Sequence, residues 1–184
     1  MRDALRQLSP EKYWVYGPTV SEFSAVVEFV QRQCDNNLHA TEALVAQHRT
    51  AEDPTGASSE AADDLLYYAY LEREMLWSFA LWRLQGMFEA LIVKEYGRST
   101  TRRSLLGLKA KLEAVRSSGF TIDAAAEVEL LGWARLRNLL SHTPAEHYRP
   151  ISLDRQDIEE YRQLLESVCS SLCEQANAGD GNGA

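Results

Sequence analysis

The stretch Met75–Val93, MLWSFALWRLQGMFEALIV, decides how this chain folds. Its length and apolarity approach those of a membrane span, but Arg83, Gln85 and Glu89 interrupt it. In a protein interior three such groups need only a few polar partners, so the stretch reads as a buried core helix. Upstream, from about Ala61, the pattern is amphipathic; downstream, Gly97 supplies a stop after Tyr96. The reading is a helix of about 36 residues, roughly 54 Å long, that serves as the spine, with Gly86 the place for a kink. At helical spacing Trp77, Phe79 and Trp82 read as core in preference to a base-stacking platform. Arg83 then needs an ion pair or an interface, because an unpaired buried charge is costly.

Four further helices are predicted around this spine. Thr19 with Glu22 makes a capping box after Gly17-Pro18, opening a first helix to about Gln47 with the stripe Phe23, Val26, Val27, Val30, Cys34, Leu38 and Val45. The segment Arg49 to Glu60, with Asp53-Pro54 and Gly56, reads as a loop. A third helix spans about Arg103 to Arg116, with Leu105, Leu108, Leu112 and Val115 inward, and stops at Ser117-Ser118-Gly119. A fourth starts near Thr121 or Asp123 and ends at about His142, because Pro144 biases Thr143 away from helix. Its apolar residues Val128, Leu130, Leu131, Trp133, Leu136, Leu139 and Leu140 cover most of the circumference, which predicts a place in the middle of the bundle. A fifth runs from about Leu153 to Gln175 on Ile158, Tyr161, Leu165, Val168 and Leu172. The expectation is an all-α bundle of about five helices over residues 19–176. Residues 1–18 form an N-terminal extension whose Tyr13, Trp14 and Tyr16 tuck against the core, and the Gly/Asn-rich residues 177–184 a disordered tail.

Charge and cysteine content narrow the function classes. A net charge of -8 argues against a general polyanion binder. Yet Lys94, Arg98, Arg102, Arg103, Lys109, Lys111 and Arg116 face only Glu95 and Glu113 in one segment, which reads first as a solvated helix face and otherwise as a phosphate-facing patch. Cys34, Cys169 and Cys173 make no disulfide framework and read as small buried hydrophobes, consistent with a reducing cytoplasm. No apolar signal-peptide core follows a basic start, and neither a membrane anchor nor a cofactor is expected. His39, His48, His142 and His147 show no metal-ligand spacing, so no metal site is assigned.

The chemistry concentrates in Arg137–His142, RNLLSH, at the end of the fourth helix. Arginine offers a planar donor fork for phosphate, and histidine moves protons near neutral pH. Such a pair suits RNA cleavage, in which the ribose 2′-hydroxyl attacks phosphorus: His142 as general acid/base, Arg137 stabilising the phosphorane, Asn138 supporting. The alternative is that Arg137 and His142 only cap a helix C-terminus. On an unbroken helix the two lie about 140° apart, so either the helix frays at Ser141 or a two-fold dimer brings both copies to one cleft. The second option predicts a homodimer. Arg135 is read as a surface ion pair or a further phosphate contact, and His147 and Tyr148 as loop residues able to touch substrate; Arg102 and Arg103 are the other candidate substrate contacts.

This segment resembles the signature of the HEPN superfamily: an arginine, a polar residue directly after it, and a histidine four to six residues beyond the arginine. Arg137, Asn138 and His142 match in order and spacing, and the resemblance extends over roughly residues 20 to 175. It implies a helical bundle that works as a dimeric, metal-independent endoribonuclease, with Arg137 and His142 catalytic, in a toxin–antitoxin or phage-defence setting with a protein partner. Some HEPN domains serve instead as non-catalytic modules that bind nucleotide, RNA or protein. One HEPN toxin branch carries a tyrosine two residues after the histidine, where its antitoxin modifies it. This chain has Pro144 there, so that mode of control is not implied.

Overall fold

The computed structural model of the chain describes residues 19–50, 56–97, 107–142 and 152–180; the side chains of 142, 179 and 180 are not described. The described residues form five helices and no strand: α1 Ser21–Thr50, α2 Ala57–Tyr96, α3 Gly107–Ser117, α4 Ala124–His142 and α5 Arg155–Asp180. The all-α bundle is therefore as the sequence predicts. The helix ends follow local chemistry. The Thr19 backbone N–H donates to the Glu22 carboxylate at 3.2 Å, half of the expected capping box. Asp123 accepts the Ala126 N–H at 2.9 Å and starts α4. Asp154 accepts the N–H groups of Gln156 and Asp157 and donates its own N–H to Asp157, which starts α5. At the end of α3, Phe120 N–H reaches Val115 O and Gly119 N–H reaches Arg116 O. That is a Schellman stop, and it needs the left-handed φ of 96° that Gly119 supplies.

α2 is the spine. At 40 residues it would span roughly 60 Å, longer than predicted because α2 begins directly after Gly56. α1 lies antiparallel along it, with Asn37 donating to Glu72 at 3.2 Å. The far half of this hairpin carries little buried surface beyond Val45 and Ala62, and it leaves Leu38, Leu44, Leu66, Tyr67 and Tyr70 exposed. The near half holds the core, where Trp77, Leu81, Leu84, Phe88 and Ile92 meet Phe23 and Val30 of α1, the Leu108–Leu112–Val115 stripe of α3, and Ile158, Tyr161 and Leu165 of α5.

Four expectations are corrected. α4 is not central: Leu130 and Ala134 are buried, but Val128 is 73% and Leu139 53% exposed, because α2 already fills the middle. Phe79 and Trp82 are not core either; they are 54% and 48% exposed, and only Trp77 of the three points inward. Cys173 is exposed, whereas Cys34 and Cys169 are buried as expected. Finally, residues 177–180 continue α5 and do not belong to an irregular tail, since Ala176 and Ala178 are good helix formers. No helix among the described residues is long and apolar enough to cross a membrane.

Candidate functional site

Arg137 occupies the inward stripe of α4, one turn beyond Ala134 and two beyond Leu130. Its guanidinium does not cap the helix. It reaches α2, donating from Nε to Gln85 Oε1 at 3.4 Å and placing Nη2 at 3.6 Å from Glu89 Oε1. Among the described residues Gln85 and Glu89 are the two buried polar side chains, and they bind each other: Gln85 Nε2 donates to Glu89 Oε1 at 2.7 Å. The other Glu89 oxygen pairs with Lys111 of α3. These are two of the polar residues that interrupt the apolar stretch of α2, and the partners they require are Arg137 and Lys111.

The network carries surplus positive charge. One carboxylate serves two cations, and both cations keep an edge toward solvent. Arg137 Nη1 makes no hydrogen bond or ion pair with any described residue. Beneath it lies Tyr161, fully buried, its ring tilted by 32° against that of Trp133 at 4.9 Å between centroids, with a hydroxyl that has no hydrogen-bond partner among the described residues. Burial, and secondarily the Glu89 charge, push the Tyr161 phenol well above its ordinary range, while Arg137 pulls the other way. The phenol therefore remains protonated and keeps its O–H as a donor.

The other predicted residues fall as follows. Asn138 and Arg135 are exposed on α4, and Arg135 makes no ion pair among the described residues. His142 is the last residue of α4, and the helix does not fray before it: Ser141 Oγ donates to Arg137 O at 2.7 Å, within a continuous helical turn. Arg102, Arg103, His147 and Tyr148 lie outside the described residues, as do Tyr13, Trp14 and Tyr16. In the basic segment, Lys94 pairs with Glu95, Lys111 with Glu89, and Arg116 with Glu113 and Glu127; Lys109 is exposed. Arg98 also lies outside the described residues; of the four described cations of the segment, three are ion-paired.

Glu89, Gln85, Lys111 and Tyr161 carry no motif of their own in the sequence. Gln85 and Glu89, four apart inside an apolar run, were the available signal that α2 turns a polar pair toward some cation. A separate cleft of about 890 Å³ lies between α1, α2 and the start of α5, lined by Cys34, Tyr70, Arg73, Trp77 and Arg155 among others; it contains none of the predicted site residues. Among the described residues no three His, Cys, Asp or Glu side chains are grouped to hold a metal ion. Compared with protein-family models, curated proteins and solved structures, the chain matches none.

Proposed function

We propose that this chain is a metal-independent endoribonuclease of the HEPN type, acting as a homodimer in a toxin–antitoxin or phage-defence role. The observation that carries the reading is the state of Arg137. It is held on two sides by Gln85 and Glu89, shares its counter-ion with Lys111, and keeps one nitrogen uncommitted among the described residues. A half-neutralised guanidinium of this kind is prepared for a second anion, and a phosphodiester suits its planar donor fork.

In the proposed step His142 takes the proton of a ribose 2′-hydroxyl as that oxygen bonds to the adjacent phosphorus. Arg137 stabilises the added charge on the non-bridging oxygens. The bond from phosphorus to the 5′-oxygen breaks, and the proton returns to that oxygen, leaving a 2′,3′-cyclic phosphate and a 5′-hydroxyl. Asn138, exposed one residue after Arg137, is free to bind a neighbouring phosphate or sugar. Because α4 stays helical through Ser141, Arg137 and the His142 position remain about 140° apart on one chain, so the pair that acts comes from two chains.

The test is direct. Wild-type protein incubated with mixed RNA and EDTA yields fragments ending in 2′,3′-cyclic phosphate; Arg137→Ala and His142→Ala yield none and stay folded. Full cleavage by either variant ends the assignment. A second reading, a non-catalytic helical module that binds nucleotide, RNA or a protein partner, is favoured by one fact: Arg137 faces inward and already has partners. Wild-type protein that binds RNA yet never cuts it selects that reading.

A further inference from the structure

The apolar surplus of α2 has a pattern. Tyr68, Met75, Phe79, Trp82 and Gly86 follow one another at intervals of seven, four, three and four, the seam of a coiled coil. All five are exposed, the first four at 61%, 64%, 54% and 48%. A Cβ at Gly86 would meet nothing within 4 Å. This seam lies on the side of α2 opposite the core residues Leu81, Leu84 and Phe88. From this geometry we infer that the seam is a homodimer interface, on which a second copy of this chain lays its own α2 antiparallel.

Three observations select a copy of itself as the occupant. The first is fit. A two-fold axis between Phe79 and Trp82 sets Phe79 of each copy against Trp82 of the other, and Met75 against Gly86. Each layer pairs the two kinds of seam position, as antiparallel coiled coils do, and the largest gap receives a long flexible side chain. The second is charge. Two chains of -8 repel unless they meet on a neutral face. From Met75 to Gly86 the seam itself carries no charge, and its flanks there are Ser78, Ala90 and Arg83; Glu72, which Asn37 of α1 engages, holds the seam position between Tyr68 and Met75. The third is area. The exposed parts of Tyr68, Met75, Phe79 and Trp82 amount to roughly 500 Å² per copy, hence about 1,000 Å² from the two before any flanking residue is added. The total reaches the lower bound for a specific interface, and the patch on each copy is as large as the largest apolar patches that monomers carry, which are often functional.

The interface also bears on the site, and in this respect the inference rests on the nuclease reading. Phe120, just before α4, packs on Tyr96, and Arg137 meets Gln85 and Glu89, so α4 runs back along α2 in the opposite direction. Five residues beyond Arg137, about 7.5 Å along the helix, α4 ends level with the middle of the seam. The proposed axis passes at that level, so the two RNLLSH ends come to the same height on either side of it.

The experiment measures mass by sedimentation equilibrium across a concentration series. Wild type gives twice the chain mass of 20.8 kDa. Phe79→Asp and, separately, Met75→Asp raise the dimer dissociation constant at least about 30-fold, as expected for central anchors, with unchanged helicity. The control Val128→Asp, on the outer face of α4, stays dimeric. In a Cys173→Ser background, Met75→Cys mixed with Gly86→Cys cross-links two chains on mild oxidation while neither variant does so alone, which only the antiparallel register allows. A monomeric wild type overturns the inference, as does a dimer that both Asp variants leave intact. Two other occupants also overturn it: residues 1–18, if their deletion turns a monomer into a dimer, or single-stranded RNA, if a monomeric wild type binds it and Phe79→Asp does not. A dimer broken by Phe79→Asp whose wild type never cuts RNA leaves the interface standing and removes the nuclease. Cutting by a monomeric wild type does the reverse.

Discussion

Replacing Arg137 and replacing Glu89 have very different consequences for this network. Arg137→Ala removes a 3.6 Å ion pair and a 3.4 Å hydrogen bond, both long. Glu89 loses little, since Lys111 still neutralises it and Gln85 still donates to it at 2.7 Å. With Arg137 partly exposed, the loss is about 1 kcal/mol. Glu89→Ala is another matter: it leaves Lys111 and Arg137 facing each other with no counter-ion, strips Gln85 of its acceptor and opens space beside Phe88 and Ile92. The range for breaking a buried pair is about 3–5 kcal/mol, and the residual exposure of both cations argues for its lower end, about 3. For a chain of this length 1 kcal/mol moves Tm by about 2–4 °C, so the expected shifts are about 2–4 °C for Arg137→Ala and about 6–12 °C for Glu89→Ala.

Far-UV circular dichroism melts read both shifts, and RNA cleavage at 25 °C is assayed on the same samples. The expected pattern is Arg137→Ala inactive with a nearly native melt, and Glu89→Ala unstable. That separation is what distinguishes a group kept for an anion from one kept for the fold. Equal Tm losses in the two variants would refute the reasoning, because Arg137 would then be the principal counter-ion of Glu89.

Other outcomes follow from burial and titration. Val128→Ser changes stability by less than about 0.5 kcal/mol, while Leu130→Ala, two residues on, costs about 2–5 kcal/mol; denaturant midpoints compare them, and similar values would restore α4 to the centre. Asp123→Ala removes the acceptor that starts α4 and costs about 1 kcal/mol in the same assay. A thiol reagent labels Cys173 rapidly at pH 8 and Cys169 only on unfolding, because burial pushes the Cys169 thiol up to about 12. An unfolded Cys169 ionises near its ordinary value while the folded one stays protonated, so its contribution is intact below pH ~9 and is lost as pH rises toward 12; a Cys169→Ala melt series must show a smaller alkaline decline than wild type. Hydrogen bonding from Arg162 holds the Glu159 carboxyl below its usual range, so Glu159→Gln is less stable than wild type at neutral pH and the gap closes as pH falls through the acid range.

How much of this was legible follows from which signals are local. Caps and stops are local, and Thr19 with Glu22, Asp123 and Gly119 were readable because each satisfies its own backbone neighbours. Core stripes on α3 and α5 were readable because their apolar residues fall on one side only. The Arg137 network was not, since its members come from α2, α3, α4 and α5 and only packing brings them together. The sequence did mark where such a network had to lie, as two polar residues inside the most apolar stretch of the chain.

Two of the four corrected expectations, those on α2 and α4, share one cause. Both α2 and α4 are apolar around most of their circumference, and periodicity then predicts burial on every side. A single chain has one interior, and α2 takes its middle. What remains, Met75, Phe79 and Trp82 on α2 with Val128 and Leu139 on α4, stays outside in the isolated molecule. Ordinary surface scatter does not place four large side chains and a glycine on one heptad seam. The same excess that made α2 look entirely buried is what a helix needs to be buried twice, once by its own chain and once by a copy. On that account the sequence pattern describes α2 in the dimer, and the exposed seam is the half of its burial that one chain cannot supply.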